Sequence, residues 1–86
     1  MTNDAPLIAV ALHYESGGVP TVTAKGRGTV AEQILATARQ HDVFVEENAL
    51  LAEALSTVEL DDEIPVELYR AVAQVIGFVL RAAGRL

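Results

Sequence analysis

The 86-residue sequence contains no cysteine. Disulfides and thiolate metal sites are thereby excluded, and the composition suits a reducing, cytosolic compartment. Positive charge is scarce, with six Lys and Arg against twelve Asp and Glu and a net charge of −6. Nucleic-acid binding requires clustered cations to neutralise phosphates, so the balance argues against it. It argues equally against docking on an anionic membrane surface. Long apolar runs are also missing. The start, MTNDAPLIAVALHY, lacks the basic region and extended apolar stretch of a signal peptide. The most apolar later stretch, VAQVIGFVL, is shorter than the roughly 20 residues of a membrane span. Arg70, Gln74 and Arg81 lie in or beside it. It reads as a core helix of a soluble, cytoplasmic protein with no direct membrane insertion.

Hydrophobic residues make up 51% of the chain, enough for a folded domain rather than a disordered segment. A chain of this size buries only about 60–68% of its unfolded surface. It can build one core, but not a deep substrate cavity as well. A single domain over 1–86 is expected, with residues 1–6 flexible.

The run LIAVALHY at 7–14 puts Ile8, Val10, Leu12 and Tyr14 on one face and Leu7, Ala9, Ala11 and His13 on the other. Both faces are mostly apolar, which predicts a strand covered on two sides. ESGG at 15–18 is turn chemistry, and VPTVTAK at 19–25 supplies a second strand, so the two form a hairpin. Gly26 and Gly28 release the chain into a helix over 30–40, with Thr29 and Glu32 at capping-box spacing. VFVE at 43–46 reads as a third strand, reached by a right-handed parallel crossover. Asn48 is placed to cap a helix over 49–57. VELDDEI is an acidic connection, and Pro65 suits the first position of a last helix lined by Leu68, Tyr69, Val72, Ile76, Val79 and Leu80. The expected class is α/β: a small mixed sheet of about three strands flanked by three or four helices. So few strands leave at least one sheet edge open and apolar, which invites pairing with another chain unless the N-terminal residues or another element cover it.

Candidate chemistry is thin. AKGRGT carries its lysine before the glycines, unlike a Walker loop, and lacks the third glycine of a dinucleotide loop. An anion held by Lys25, Arg27 and free N–H groups at the helix start is one reading. A strand-to-helix turn capped by Thr29 is the other and better one. His13 and His41 have no third ligand at metal spacing, so no metal is expected. No cofactor is expected either. The carboxylates Glu46, Glu47 and 59–63 read as solvated charge rather than acid–base machinery. Tyr69 reads as core. Nothing here describes an enzyme.

One resemblance covers about residues 9 to 80. AVAL-x-Y, VxAKGxG and EIPxxLYxAVAxVxxFV stand here in order, as AVALHY, VTAKGRG and EIPVELYRAVAQVIGFV. This resembles the cytoplasmic C-terminal domain of the FlhB family, the export-switch proteins of flagellar and type III secretion systems. The resemblance implies a protein-interaction module acting on the export apparatus, in the cytoplasm and recruited to the membrane export gate. Its partners would be export components or a second copy of itself. Family members cleave their own backbone at an Asn-Pro-Thr-His motif ahead of the AVAL strand. Here those four positions read Asp4, Ala5, Pro6 and Leu7, so no autocleavage is expected. The membrane region and the strand that family members carry ahead of the motif are not in this sequence, which resembles a freestanding cleaved fragment acting in trans. In the middle helix a family arginine is Glu53 and a family tyrosine is Ser56, so the surface charge is inverted. Lys25 and Arg27, as exposed cations, and Val10 and Leu12, on the expected open strand, are the candidate partner contacts. Two other readings stay open: an unrelated cytosolic adaptor keeping only the fold, and a phosphate- or nucleotide-binding protein using the AKGRGT loop.

Overall fold

In the computed structural model, which describes residues 7–15 and 18–82, the alternating apolar run forms strand β1, Ile8–His13. The β-branched run forms β2, Thr21–Arg27. The two pair antiparallel as a hairpin, with Ile8 opposite Arg27 and Val10 opposite Lys25. The register shifts between Ala11 and Leu12, so Leu12 faces Val22 and Thr23 is left over as a bulge. The Thr23 hydroxyl donates to the Ala11 carbonyl at 3.3 Å. Residues 1–6, for which flexibility is expected, lie outside the described residues.

Pairing sorts the side chains between two faces. Ala9 and Gly26 share one, and helix α1, Thr29–Gln40, packs there. Small residues let the helix lie close: a Cβ on Gly26 would sit 2.7 Å from the Val30 Cβ. Gly28 has φ 58°, the left-handed region that lets the chain leave the sheet. This overturns the expected capping box. Gly28, not Thr29, occupies the cap position, and no side chain caps the helix. The turn demands a positive φ at Gly28, so the cap position falls on a residue with no side chain to offer. At the other end Val43 donates to the Ala38 carbonyl at 2.8 Å and Asp42 to the Arg39 carbonyl at 3.3 Å, a Schellman pattern with Asp42 at φ 58°.

Residues 43–46 do not form the expected third strand, and no parallel crossover exists among the described residues. Among the described residues the sheet has two strands, and three helices flank it. The β-forming sequence is present, but no neighbouring strand among the described residues offers it a ladder.

Helix α2, Ala49–Leu55, starts where predicted: the Asn48 side chain accepts the Leu51 N–H at 3.0 Å. The acidic 58–64 connection does more than span a gap. Val22 donates to the Asp62 carbonyl at 3.0 Å and accepts from Asp61 at 2.7 Å, and Ile64 donates to the Pro20 carbonyl at 3.0 Å. The connection thus covers the outer edge of β2. Pro65 sits just before helix α3, Val66–Ala82, and accepts the Leu68 N–H at 3.0 Å.

The core lies on the second face of the hairpin. Val22, Leu55, Val58, Ile64 and Val72 are buried together, with Val10, Leu12, Leu51, Leu68 and Ile76 packed against them. Tyr69 is not core, being 41% exposed. It lies off the buried stripe of its helix, which runs through Val72. No helix of the described residues is long and apolar enough to cross a membrane.

Candidate functional site

The edges of the hairpin are unequal. In an antiparallel pair, alternate residues aim both backbone groups at the partner and the rest aim them away. Gly28 donates to the Leu7 carbonyl at 2.8 Å, which fixes the phase. Residues 7, 9 and 11 face β2, so Ile8, Val10 and Leu12 direct their N–H and C=O groups to the outer edge of β1. Val22 confirms the phase on the other strand, since its own outward groups meet Asp61 and Asp62. Among the described residues, β1 has β2 as its sole ladder partner.

An apolar groove of about 380 Å³ runs beside that edge. Residues of β1 line it, as do Ile34 and Leu35 of α1, Leu51 of α2, Ile76 of α3 and all of 43–46. Large side chains around it remain in contact with water: Val43 is 57%, Phe44 43% and Phe78 51% exposed. The Phe44 and Phe78 rings meet with centroids 5.7 Å apart, tilted by 58°, an edge-to-face type of contact across two segments.

Each sequence candidate has a definite place. Val10 and Leu12 are half-buried: their side chains pack on the core while their backbones form the open edge. Arg27 is exposed, opposite Ile8 at the start of β1. Lys25 is not the exposed cation expected of it. It is half-buried, and its ammonium donates to the Ser56 carbonyl at 3.0 Å and the Val58 carbonyl at 2.8 Å. It ties β2 to the end of α2, where a cation is favoured by the carbonyls left over at a helix C-terminus. By register Lys25 shares the face of Val10, away from α1. The AKGRGT anion reading therefore loses its lysine. Leu7 is exposed just ahead of β1, and Asp4, Ala5 and Pro6 lie outside the described residues. His13 stands 3.4 Å from Glu15, both well exposed, and His41 follows α1; among the described residues no three His, Asp or Glu side chains are grouped to hold a metal. Sequence reasoning missed the role of 43–46 as groove wall. The alternation Val43, Val45 is the available signal, and by itself it predicts an ordinary strand.

A model of the FlhB HrpN YscU SpaS family matches residues 4–79. The chain belongs to this family. It is 37% identical over 75 residues to the uncharacterized protein YlqH of Bacillus subtilis, covering 85% of this chain and 81% of that one. It is 41% identical over 76 residues to the flagellar biosynthetic protein FlhB of Aquifex aeolicus, covering 85% of this chain. It spans only 22% of that protein's length. Among solved structures, the cytoplasmic domain of FlhB from Shewanella putrefaciens superposes with a TM-score of 0.80 at 38% identity, over 85% of this chain and 63% of that one. The PscU C-terminal domain gives 0.79 at 28% identity, over 84% and 95%. The FlhB-like chain is thus a homologue of the C-terminal export-switch domain, and its α/β fold is that of the cytoplasmic domains it matches.

Proposed function

We propose that this FlhB-like chain is a non-enzymatic protein-interaction module of the flagellar or type III export apparatus. It acts in trans, in the cytoplasm and at the membrane export gate, in the manner of the C-terminal fragment of the export switch. The observation that carries this reading is the outer edge of β1, without a ladder partner among the described residues, on a domain of the FlhB HrpN YscU SpaS family. An exposed edge is a template for β-augmentation by a partner. Val10 and Leu12 form the centre of the contact and Arg27 its exposed cationic end, with Lys25 holding the surface in shape from within.

The test is a tagged pull-down from the native cell, read by mass spectrometry against a tag-only control. Enrichment of export-gate, export-ATPase or length-control proteins is expected. Recovery of no export protein would leave the fold kept and the export role lost, and would overturn the proposal. The chain also does not cleave itself, because Asp4 carries a carboxylate where the family nucleophile is an amide, and Ala5 follows it in place of proline. The intact mass of purified protein is expected to stay that of the full 86 residues after prolonged incubation. A fragment ending at Asp4 would contradict this.

A further inference from the structure

We infer that a second groove, between α1 and the outer edge of β2, is a docking site for one amphipathic helix of another protein, apolar on one face and basic along one flank. By register Ala9 and Ala11 of β1 share a face with Gly26 and Ala24 of β2, and His13 and Thr21 continue it. α1 covers only part of that face. Beside it remains a groove of about 440 Å³, floored by Ala11 and Ala24. Val30, Ile34 and Thr37, at i, i+4 and i+7 on one side of α1, form its wall, and His41 closes the line just past the helix end. Ala24, Val30, Thr37 and His41 do not line the groove beside β1, so the surface is a separate one and does not rest on the edge of that strand.

The position of the groove selects a helix over a strand. It lies over a face of the hairpin, where side chains point, whereas ladder groups point along the sheet. On its β2 side the outward groups of Val22 are already taken by Asp61 and Asp62, and the Pro20 carbonyl by Ile64. An occupant must therefore carry its own backbone hydrogen bonds, as a helix does. The wall from Val30 to His41 is about 16 Å long, or about three helical turns. Charge selects the flank. Among the described residues no Asp, Glu, Lys or Arg lines the groove, but its far rim is acidic. Glu63 bridges Thr21 on the same face of the sheet, and the exposed Asp61 and Asp62 precede it along β2. The partner's apolar face meets Val30 and the alanine floor, and its basic flank meets 61–63. A second copy of the chain, at net charge −6, is repelled by that rim.

The probe is a synthetic peptide of about 15 residues, held helical by a lactam staple, with Leu and Ala on one face, Lys along one flank and Gln elsewhere. It is titrated into the purified full chain up to about 1 mM and followed by NMR. Chemical-shift changes are expected at Ala24, Val30, Ile34 and Thr37. A twin peptide with Glu in place of each Lys is expected to bind about tenfold more weakly or worse. Neutralising the rim with Asp61→Asn, Asp62→Asn and Glu63→Gln together is expected to weaken the Lys peptide by a similar factor. Thr37→Arg puts a bulky cation into the groove from an exposed position and is expected to abolish binding, with the spectrum of the buried core unchanged. Failure of the Lys peptide to bind overturns the site. So do shift changes confined to α3 or to the edge of β1, and so does binding that survives Thr37→Arg. Equal affinity of the two peptides, or of the acidic and neutralised rims, leaves the basic flank without a role and overturns the partner's chemistry. A chain that is dimeric alone and monomeric as Thr37→Arg would assign the groove to a second copy and overturn it too. The test contains no export component, so its failure is separable from failure of the pull-down.

Discussion

At Gly26 an added β-carbon would meet the Val30 side chain, whereas at Gly28 it would meet nothing within 4 Å. The two glycines of the KGxG element are therefore needed for different reasons, space at one and a φ of 58° at the other. Gly26→Ala is expected to cost about 1–3 kcal/mol by overpacking. Val30→Ala should recover much of it, since Val30 is half exposed and its truncation removes the clash. Gly28→Ala should cost about 1–2 kcal/mol through backbone strain alone, and Val30→Ala should not help it. Urea midpoints of the four variants check this. If Val30→Ala rescued both glycine variants alike, the separation would be wrong. Lys25 makes a third case. Lys25→Met keeps the stem but strands the Ser56 and Val58 carbonyls, and a loss of about 1–3 kcal/mol is expected from the same measurement. Wild-type stability for that variant would return Lys25 to the surface role its sequence suggested.

Helix α2 shows how burial, not residue type, sets the stability contribution of an element. Leu55 is 4% exposed and Leu50 81% exposed on the same seven-residue helix. Leu55→Ala is expected to cost about 2–5 kcal/mol, and Leu50→Ala to fall within about 0.5 kcal/mol of wild type. Chemical denaturation of both variants decides it, and comparable losses would mean that Leu50 is covered in solution. The Asn48 cap of this helix was legible in the sequence because the signal is local: a side-chain acceptor three residues before a free N–H. So were the hairpin and the buried stripe through Val72, which follow from periods of two and 3.6. What was illegible depends on partners remote in sequence. Residues 43–46 have strand propensity, but a ladder needs a neighbour that propensity cannot supply. Thr29 and Glu32 have capping-box spacing, but the turn's demand for a left-handed residue moved the cap to Gly28. Lys25 looks like a surface cation until α2 folds back to present the Ser56 and Val58 carbonyls. An edge without a ladder partner is what so few strands predict unless the N-terminal residues cover it, and those residues lie outside the described ones, whereas the groove wall formed by 43–46 depends on contacts remote in sequence.

At the scale of the whole molecule the charge is unbalanced and little of it is paired. Net charge is −6, and the one ion pair within 4 Å among the described residues is between His13 and Glu15, both exposed. Self-repulsion of excess like charge opposes the compact state. Added salt screens it, shortening the Debye length from roughly 20 Å at about 0.02 M to roughly 4 Å at about 0.5 M. There is little attraction of opposite charges to lose in exchange, because exposed pairs contribute only about 0–1 kcal/mol. The urea midpoint is therefore expected to rise with sodium chloride over that range at unchanged m-value. Chloride is used rather than sulfate, whose exclusion from the surface would stabilise any fold. A midpoint that falls would reveal attractive charge networks outside the described residues.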